Sequence, residues 1–423
     1  MIKLSRMSLS TVLAPLLALV LFCISITPVR AQEPIRIAFI DPLSGSFASI
    51  GNSGLKQLQF AADHLFNSQG GILGGRMIEI VPLDNKQSPT DTQLQFRRAV
   101  AEGIRIIFQG NSSAVANTLN DTVIRHNRRN PGQEVLQINY SAVDPVLTEE
   151  NCSFWHFRFD AHANMKLDTL TTYLAAKPEI KSVYIIGQDY SFGQVVADTS
   201  IRLLKEKRPD ITIVGNEFHP IGQVKDFTPY VTKIVASGAD AVITGNFGAD
   251  MVSLARSIID SGLDVPIYTF YAAYDGITAT LGADARDQIY LVHNDASNPL
   301  PTEERKAYYR AFKAANPGFD MTQPRIANAL QMLVAAMEQS QSTDPYDIAM
   351  ALEDMRFTNL SGEEIWMRGE DHQIMQALHI SRHTDQDIEF DADNSGFGLL
   401  TEYSVPMETT IPPVHCEMDR PRR

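Results

Sequence analysis

Four glycines crowd into the stretch NSQGGILGGRMIEIVPLD, Asn67 to Asp84, and glycine clusters can cradle phosphate. That chemistry needs a strand running in and a helix starting immediately after, so that free N–H groups face the anion. Here the order is reversed. Leu55, Leu58, Ala62, Leu65 and Phe66 recur at helical spacing before the glycines, and Met77, Ile78, Ile80 and Val81 read as a strand after them. Gly70 and Gly71 fall where a helix end favours a left-handed residue, and the Lys-Ser/Thr of a nucleotide loop is absent. The stretch reads as a helix stop feeding a strand, and the nucleotide reading is poor.

Other spacings point to metal. In DADNSGFGLLTE, Asp391, Asp393, Ser395, Gly396 and Glu402 fall on ligand and turn positions of a calcium loop. Such a loop needs a helix on each side, whereas QALHISRH upstream reads as a strand and YSVP follows. Gly398 also takes a place usually held by an apolar residue, so a polar hairpin turn is expected. His379 and His383 would suit a metal on a helix. Their stretch alternates like a strand, which leaves them on one face but too far apart to chelate, and they read as surface histidines. The acids from Asp385 to Asp393 read as a solvated face. No Gly-x-Ser-x-Gly elbow occurs, and neither Cys152 nor Cys416 has a histidine neighbour suited to catalysis. No catalytic residue, metal site or cofactor is expected.

The elements that would carry function are βα units. Ile35–Ile40 leads into DPLSGSFASIGNSG and the Leu55 helix, Ile104–Phe108 into QGNSSAVANT, and Val135–Ile138 into NYSAVDP. Val183–Ile186 leads into GQDYSFGQ and a helix to about Lys207. Ala241–Thr244 leads into GNFGAD, and Pro266–Phe270 into YAAYDG. The alternation argues for parallel sheets covered by helices. Ligands in such sheets bind beyond the C-terminal strand ends, where all six loops lie.

The chain of 423 residues is long enough for two domains. Lys3 and Arg6, an apolar run from Leu9 to Ile26, and Val29-Arg30-Ala31 have the form of a secretory signal peptide cut after Ala31. Pro15 and Ser25 break the run, which argues against a permanent anchor. Cys23 follows Leu21 and Phe22, where a lipid-anchor site wants a small residue. The segment holds Lys3, Arg6 and Arg30 and no acid, so its removal takes the net charge from −14 to −17. Such a chain repels nucleic acid and anionic lipid, and no later segment is apolar enough for membrane insertion. Cys152 and Cys416 are the cysteines that remain, and in an exported protein they most simply pair. Chain-entropy models give roughly 4–5 kcal/mol for a loop that large.

The βα pattern pauses at ENCSFWHFRFDAHANMK (Glu149–Lys166), at VHNDASNPLPTEE (Val292–Glu304) and at RFTNLSGEEIWMRGEDHQ (Arg356–Gln373). Three such crossings imply two lobes of discontinuous pieces with a cleft between them. The expected divisions are 1–31 signal peptide, 32–158 and 296–358 first lobe, 159–295 and 359–402 second lobe, and 403–423 tail.

Taken in order and spacing, IAFIDPLSGSFASIGNSGLKQLQFAADHLFNSQGGILGGRMIEIVPLDN, FQGNSSAVA, GQDYSFGQ and GADAVITGNFGADMVSLARSIIDSGLDVPIY resemble one family. It is the periplasmic ligand-binding proteins of ABC importers, in the Leu/Ile/Val-binding branch, and GEDHQ (Gly369–Gln373) is similar to a subset of them. The resemblance covers about the whole mature chain. It implies two Rossmann-like lobes that close on a small solute, a periplasmic monomer, and a membrane permease as partner.

The resemblance also implies site residues. The ligand carboxylate falls to Ser112 and Ser113 at a helix start, where the N–H groups and helix dipole favour an anion; plain N-capping by Asn111 or Ser112 is the structural alternative. The next loop gives Ser141 and Ala142, with Val143 where the family has a threonine. Tyr271 stands near the place of the amine-binding acid, and Asp275 is the nearest acid. A buried ammonium without an anion is costly, so these departures favour a carboxylate with an apolar or aromatic body over an amino acid. Asn246 belongs to the candidate site, and Phe192 (or Tyr190), Phe247, Tyr271 and Tyr274 are the candidate walls. The expected function is capture and delivery of a small carboxylate. A ligand sensor on the same fold and a secreted α/β hydrolase are the alternatives; the second lacks a nucleophile elbow.

Overall fold

β-branched runs followed by amphipathic stretches fold as the alternation requires. The computed structural model describes residues 33–391 and 393–421, so the expected signal peptide, with Cys23, lies outside the described residues. The first lobe begins with β1 (Ile35–Asp41), α1 (Ala48–Ala61), β2 (Ile78–Asp84), α2 (Pro89–Ala101), β3 (Ile106–Gln109), α3 (Ser113–Arg129), β4 (Leu136–Asn139) and β5 (His156–Arg158). These strands are parallel, in the order β2-β1-β3-β4-β5. Phe39, Phe108, Ile138 and Phe157 are fully buried between sheet and helices.

The chain then crosses to α4 (Ala163–Ala175), β6 (Ser182–Gln188), α5 (Ser191–Lys207), β7 (Thr212–His219), α6 (Thr228–Ser237), β8 (Ala241–Thr244), α7 (Ala249–Asp260), β9 (Ile267–Thr269), α8 (Ile277–Leu281) and β10 (Ile289–His293). It returns to the first core with α9 (Glu303–Ala315), α10 (Arg325–Ser340) and α11 (Pro345–Leu352), which bury Phe312, Leu330, Leu333 and Leu352 there. A small antiparallel sheet follows, made of β11 (Arg356–Thr358), β12 (Glu364–Met367) and β13 (Ile374–Met375). Finally β14 (Leu378–Thr384) and β15 (Gly398–Val405) join the second sheet antiparallel, giving β15-β14-β10-β9-β8-β6-β7. The fold is thus α/β with two lobes built on parallel sheets, and an antiparallel edge on the second.

The glycine-rich stretch is a helix stop. α1 continues in tighter and wider turns to Gln69, and Gly70 and Gly71 take φ of 99° and 81°. β2 starts at Ile78, with Met77 exposed. Helix and sheet also approach closely at Gly193, in the first turn of α5. A Cβ there would stand 1.9 Å from the Gln188 carbonyl oxygen. Gly193→Ala is therefore expected to destabilise the chain by about 3 kcal/mol, read as a lower urea midpoint; an unchanged midpoint would show that α5 shifts freely.

Three sequence expectations are corrected. The third change of lobe does not fall at 359, because residues 359–363 are a hairpin turn: the Asn359 side chain accepts the N–H groups of Ser361 and Glu363. Leu360, Ile365, Met367 and Ile374 pack in the first core, so the chain leaves that lobe after Ile374. The irregular tail starts after Val405, since β15 runs through Tyr403. His379 and His383 are buried, at 4% and 1% exposure, because both faces of β14 are covered. His379 bonds Ser404 Oγ, and His383 bonds the Gly282 carbonyl and stacks on Phe397.

The Asp391–Glu402 segment forms the β14–β15 connection and most of β15. Asp391 accepts the N–H groups of Ser395 and Gly396, while Asp393 braces Gly276, Thr278 and Ala279. Among the described residues no group of three His, Cys, Asp or Glu could hold a metal ion. No helix among them is long and apolar enough to cross a membrane.

Cys152 and Cys416 are disulfide-bonded, closing a separation of 264 residues. The tail that carries Cys416 leaves the second sheet at Val405 and ends on the first lobe. There Arg420 bonds Glu353 and the Gly369 carbonyl.

Candidate functional site

Five of the six loops at the strand ends converge on one small pocket between the lobes. The loop after β3 brings Gly110, Asn111, Ser112 and Ser113, and the loop after β4 brings Ser141. Tyr190 and Phe192 follow β6, Phe247 follows β8, and Tyr271 and Tyr274 follow β9. The sixth loop, after β1, closes the pocket from the side: Phe47 packs on Phe247 with ring centroids 5.2 Å apart.

Ser112 precedes α3 with φ of 70°, a left-handed backbone unusual for serine. Its hydroxyl makes no capping bond to the helix. Asn111 stands before the N-cap position, and its side-chain amide donates to the Tyr140 hydroxyl. Plain N-capping is thus not what these residues do. The preceding turn is held by Asp41, whose fully buried carboxyl accepts the N–H groups of Gly110 and Asn111 and the Tyr140 hydroxyl. Burial pushes this carboxyl up to about 7. Strain of this kind is kept where surrounding contacts over-determine it, as at ligand clamps.

Hydroxyls facing the pocket have their acceptor sides in use. Ser113 Oγ accepts the Asp144 N–H at 3.2 Å, and Ser141 Oγ accepts from Arg325 at 2.8 Å. The Ser113 O–H is then left to donate elsewhere, while Ser141 also bonds the Tyr274 hydroxyl. The Tyr271 phenol is held well above its ordinary value by burial, and burial pushes Tyr274 up to about 12, so both stay protonated. The rings form a connected wall: Tyr271 stacks on Tyr274 at 6.2 Å and meets Phe192 and Phe247 edge-on at 6.1 and 6.0 Å. No acidic side chain lines the pocket among the described residues.

Ser112, Ser113, Ser141, Phe192, Phe247, Tyr271 and Tyr274 are thus brought together, and Tyr190 joins Phe192 rather than replacing it. Ala142 and Asn246 stand apart. Ala142 packs on Ala116 and Leu147, and Asn246 is bonded to the His219 ring. Val143 is buried in the second core. Asp275 faces the first lobe, where it accepts the Asp320 N–H and a bond from Ser53, so it does not restore an amine site.

Sequence reasoning missed Asp41, Asp160, Lys166 and Arg325, which support the pocket from behind. Only their isolated charge in apolar surroundings could have marked them. A second cavity lies near His293 and Asn298, where the chain returns from β10 to α9. Its Arg305 and Asp295 pair at 3.0 Å.

Two lobes on parallel sheets, with a small donor-lined pocket between their strand ends, define a two-lobed solute-binding protein. A model of the periplasmic binding protein family matches residues 34–387, and the chain belongs to that family. Relatives include the Leu/Ile/Val-binding protein homolog 4 of Brucella abortus, 29% identical over 92% of this chain and 94% of its own. The Leu/Ile/Val-binding protein BraC3 of Rhizobium johnstonii is 26% identical over 82% and 90%. Among solved structures, the closed leucine-, isoleucine-, valine-, threonine- and alanine-binding protein of Brucella ovis superposes with a TM-score of 0.80. It is 28% identical, with 92% of this chain and all of that one covered. An R. palustris solute-binding protein in complex with benzoate gives 0.75 at 18% identity, over 91% and 99%, a likeness of fold alone.

Proposed function

We propose that this protein is a periplasmic solute-binding protein that captures a small carboxylate with an apolar or aromatic body and hands it to the permease of an ABC importer. It acts as a monomer and by binding, not catalysis. The observation that carries the reading is the pocket itself. Serine hydroxyls and a helix N-terminus stand against aromatic rings, with no acidic side chain to receive an α-ammonium. Ser112 and Ser113 meet the carboxylate, where charge-assisted bonds contribute about 1.5–3 kcal/mol each. Phe192, Phe247, Tyr190, Tyr271 and Tyr274 enclose the body.

A thermal-shift screen of aliphatic acids, aromatic acids and amino acids tests the class, since a tight ligand raises the melting point by mass action. Acids should raise it. A response confined to leucine and valine would return the protein to the ligands named for its relatives. Ser112→Ala should weaken binding of the best acid by roughly tenfold or more in calorimetry. An affinity within twofold of the parent would remove Ser112 from the site.

A further inference from the structure

Directly behind the pocket wall lies a buried group of charges. Asp160, Lys166 and Arg325 are 0%, 1% and 6% exposed. The Lys166 ammonium stands 3.0 Å from Asp160 Oδ2, and Arg325 Nε stands 3.4 Å from the same oxygen. Two cations share one carboxylate, so the cluster carries one positive charge in excess.

Neighbouring groups do not remove that excess. Arg158 is a further cation, with Asp144 and Asp371 as its buried counter-charges, and Asp371 is itself bonded to Arg368. Glu149, also near Arg158, is only half-buried, and burial raises its carboxyl. Asp41 is occupied by Tyr140 and two backbone N–H groups at the α3 end of the pocket.

The charge reaches the pocket through direct contacts. Arg325 Nη2 donates to Ser141 Oγ at 2.8 Å, and its Nε donates to the Tyr140 carbonyl at 2.7 Å. The Tyr274 hydroxyl bonds both Ser141 and Arg325. Lys166 Nζ stands 5.4 Å from the centre of the Tyr271 ring. Ser141 accepts from Arg325 and itself bonds the Tyr274 hydroxyl, so Arg325 is tied to two hydroxyls of the pocket wall. An ammonium offers only donors, and it would meet like charge in a dry site.

We propose that Arg325, with Lys166 beside it, is what sets this pocket's specificity: its excess positive charge selects a carboxylate without an α-ammonium over the matching zwitterionic amino acid. The proposal rests on the solute-binding reading above and adds the residue that enforces it.

The test uses matched pairs, leucine with 4-methylpentanoate and phenylalanine with 3-phenylpropanoate, titrated calorimetrically into the mature chain. The parent should bind the acid of one pair at least tenfold more tightly than its amino acid. Lys166→Met neutralises the cluster without touching the Arg325–Ser141 bond, and Arg325→Gln removes both. Each should narrow the acid-to-amino-acid ratio by about tenfold. Should Arg325→Gln fail to fold, Lys166→Met alone decides. A parent that prefers the acid, with a ratio unmoved in folded Lys166→Met, would overturn the role of this charge and leave the solute-binding reading intact. A parent that prefers the amino acids, or that binds neither member of either pair, would overturn the role of this charge together with the apolar- or aromatic-acid ligand class.

Discussion

Replacing Asp160 by asparagine is expected to lower the stability of the folded chain by about 3–5 kcal/mol, the loss usual when one partner of a buried ion pair is removed. Among the described residues Asp160 is the single carboxylate that touches both Lys166 and Arg325, and all three are buried. Asparagine keeps the shape and leaves two cations facing each other out of water. Burial already holds the Lys166 ammonium below its ordinary value, against the pull of Asp160. Urea unfolding of the purified variant measures the effect. The double variant Asp160→Asn/Lys166→Met should recover a good part of the loss, because only Arg325 then remains charged. A single variant within 1 kcal/mol of the parent would mean that the cluster tolerates two facing cations.

Breaking the Cys152–Cys416 bond should cost about 2–5 kcal/mol, as removal of native disulfides commonly does. The mechanism lies mainly in the unfolded chain, where the bond closes a separation of 264 residues and restricts a very large loop. In the folded state the tail keeps other ties. Arg420 holds Glu353 and the Gly369 carbonyl, and Arg368 donates to the Pro412 carbonyl. The paired serine variant should therefore fold and bind, but unfold at a lower temperature. Reductant should lower the melting temperature of the parent and leave the variant unchanged. Denaturing alkylation without reductant should add no label to the exported parent; two labels would contradict the bond.

How far the sequence could be read depended on the range of the interactions involved. The glycine stretch, the βα alternation and the loops at strand ends are local signals. A helix of one apolar stripe and a β-branched run each declare themselves within a few residues. The strand β14 and the polar turn after it were legible for the same reason, whereas β15 was not read as a strand. The crossing expected across Arg356–Gln373 takes in the hairpin at 359–363, because a turn and an interlobe connection share polar, glycine-containing composition. The fate of Ile365, Met367 and Ile374 separates the two, and that is a matter of which core they enter. His379 and His383 failed similarly, since an alternating strand does not announce that a second face will also be covered.

The sequence by itself determined the two-lobed α/β architecture, and it named the strand-end loops as the place of the candidate site, with Ser112, Ser113 and the aromatic residues as its candidates. Periodicity and resemblance act along the chain and need no knowledge of what lies across it. Only the tertiary structure decided that Ala142 and Asn246 stand outside the pocket and that Tyr190 and Phe192 both enter it. It alone brought Asp160, Lys166 and Arg325 from two distant stretches to the back of one wall. A buried charge is costly until its counter-charge arrives, and the counter-charge here comes from residues 165 positions apart (Arg325 and Asp160) that touch only when the lobes are built.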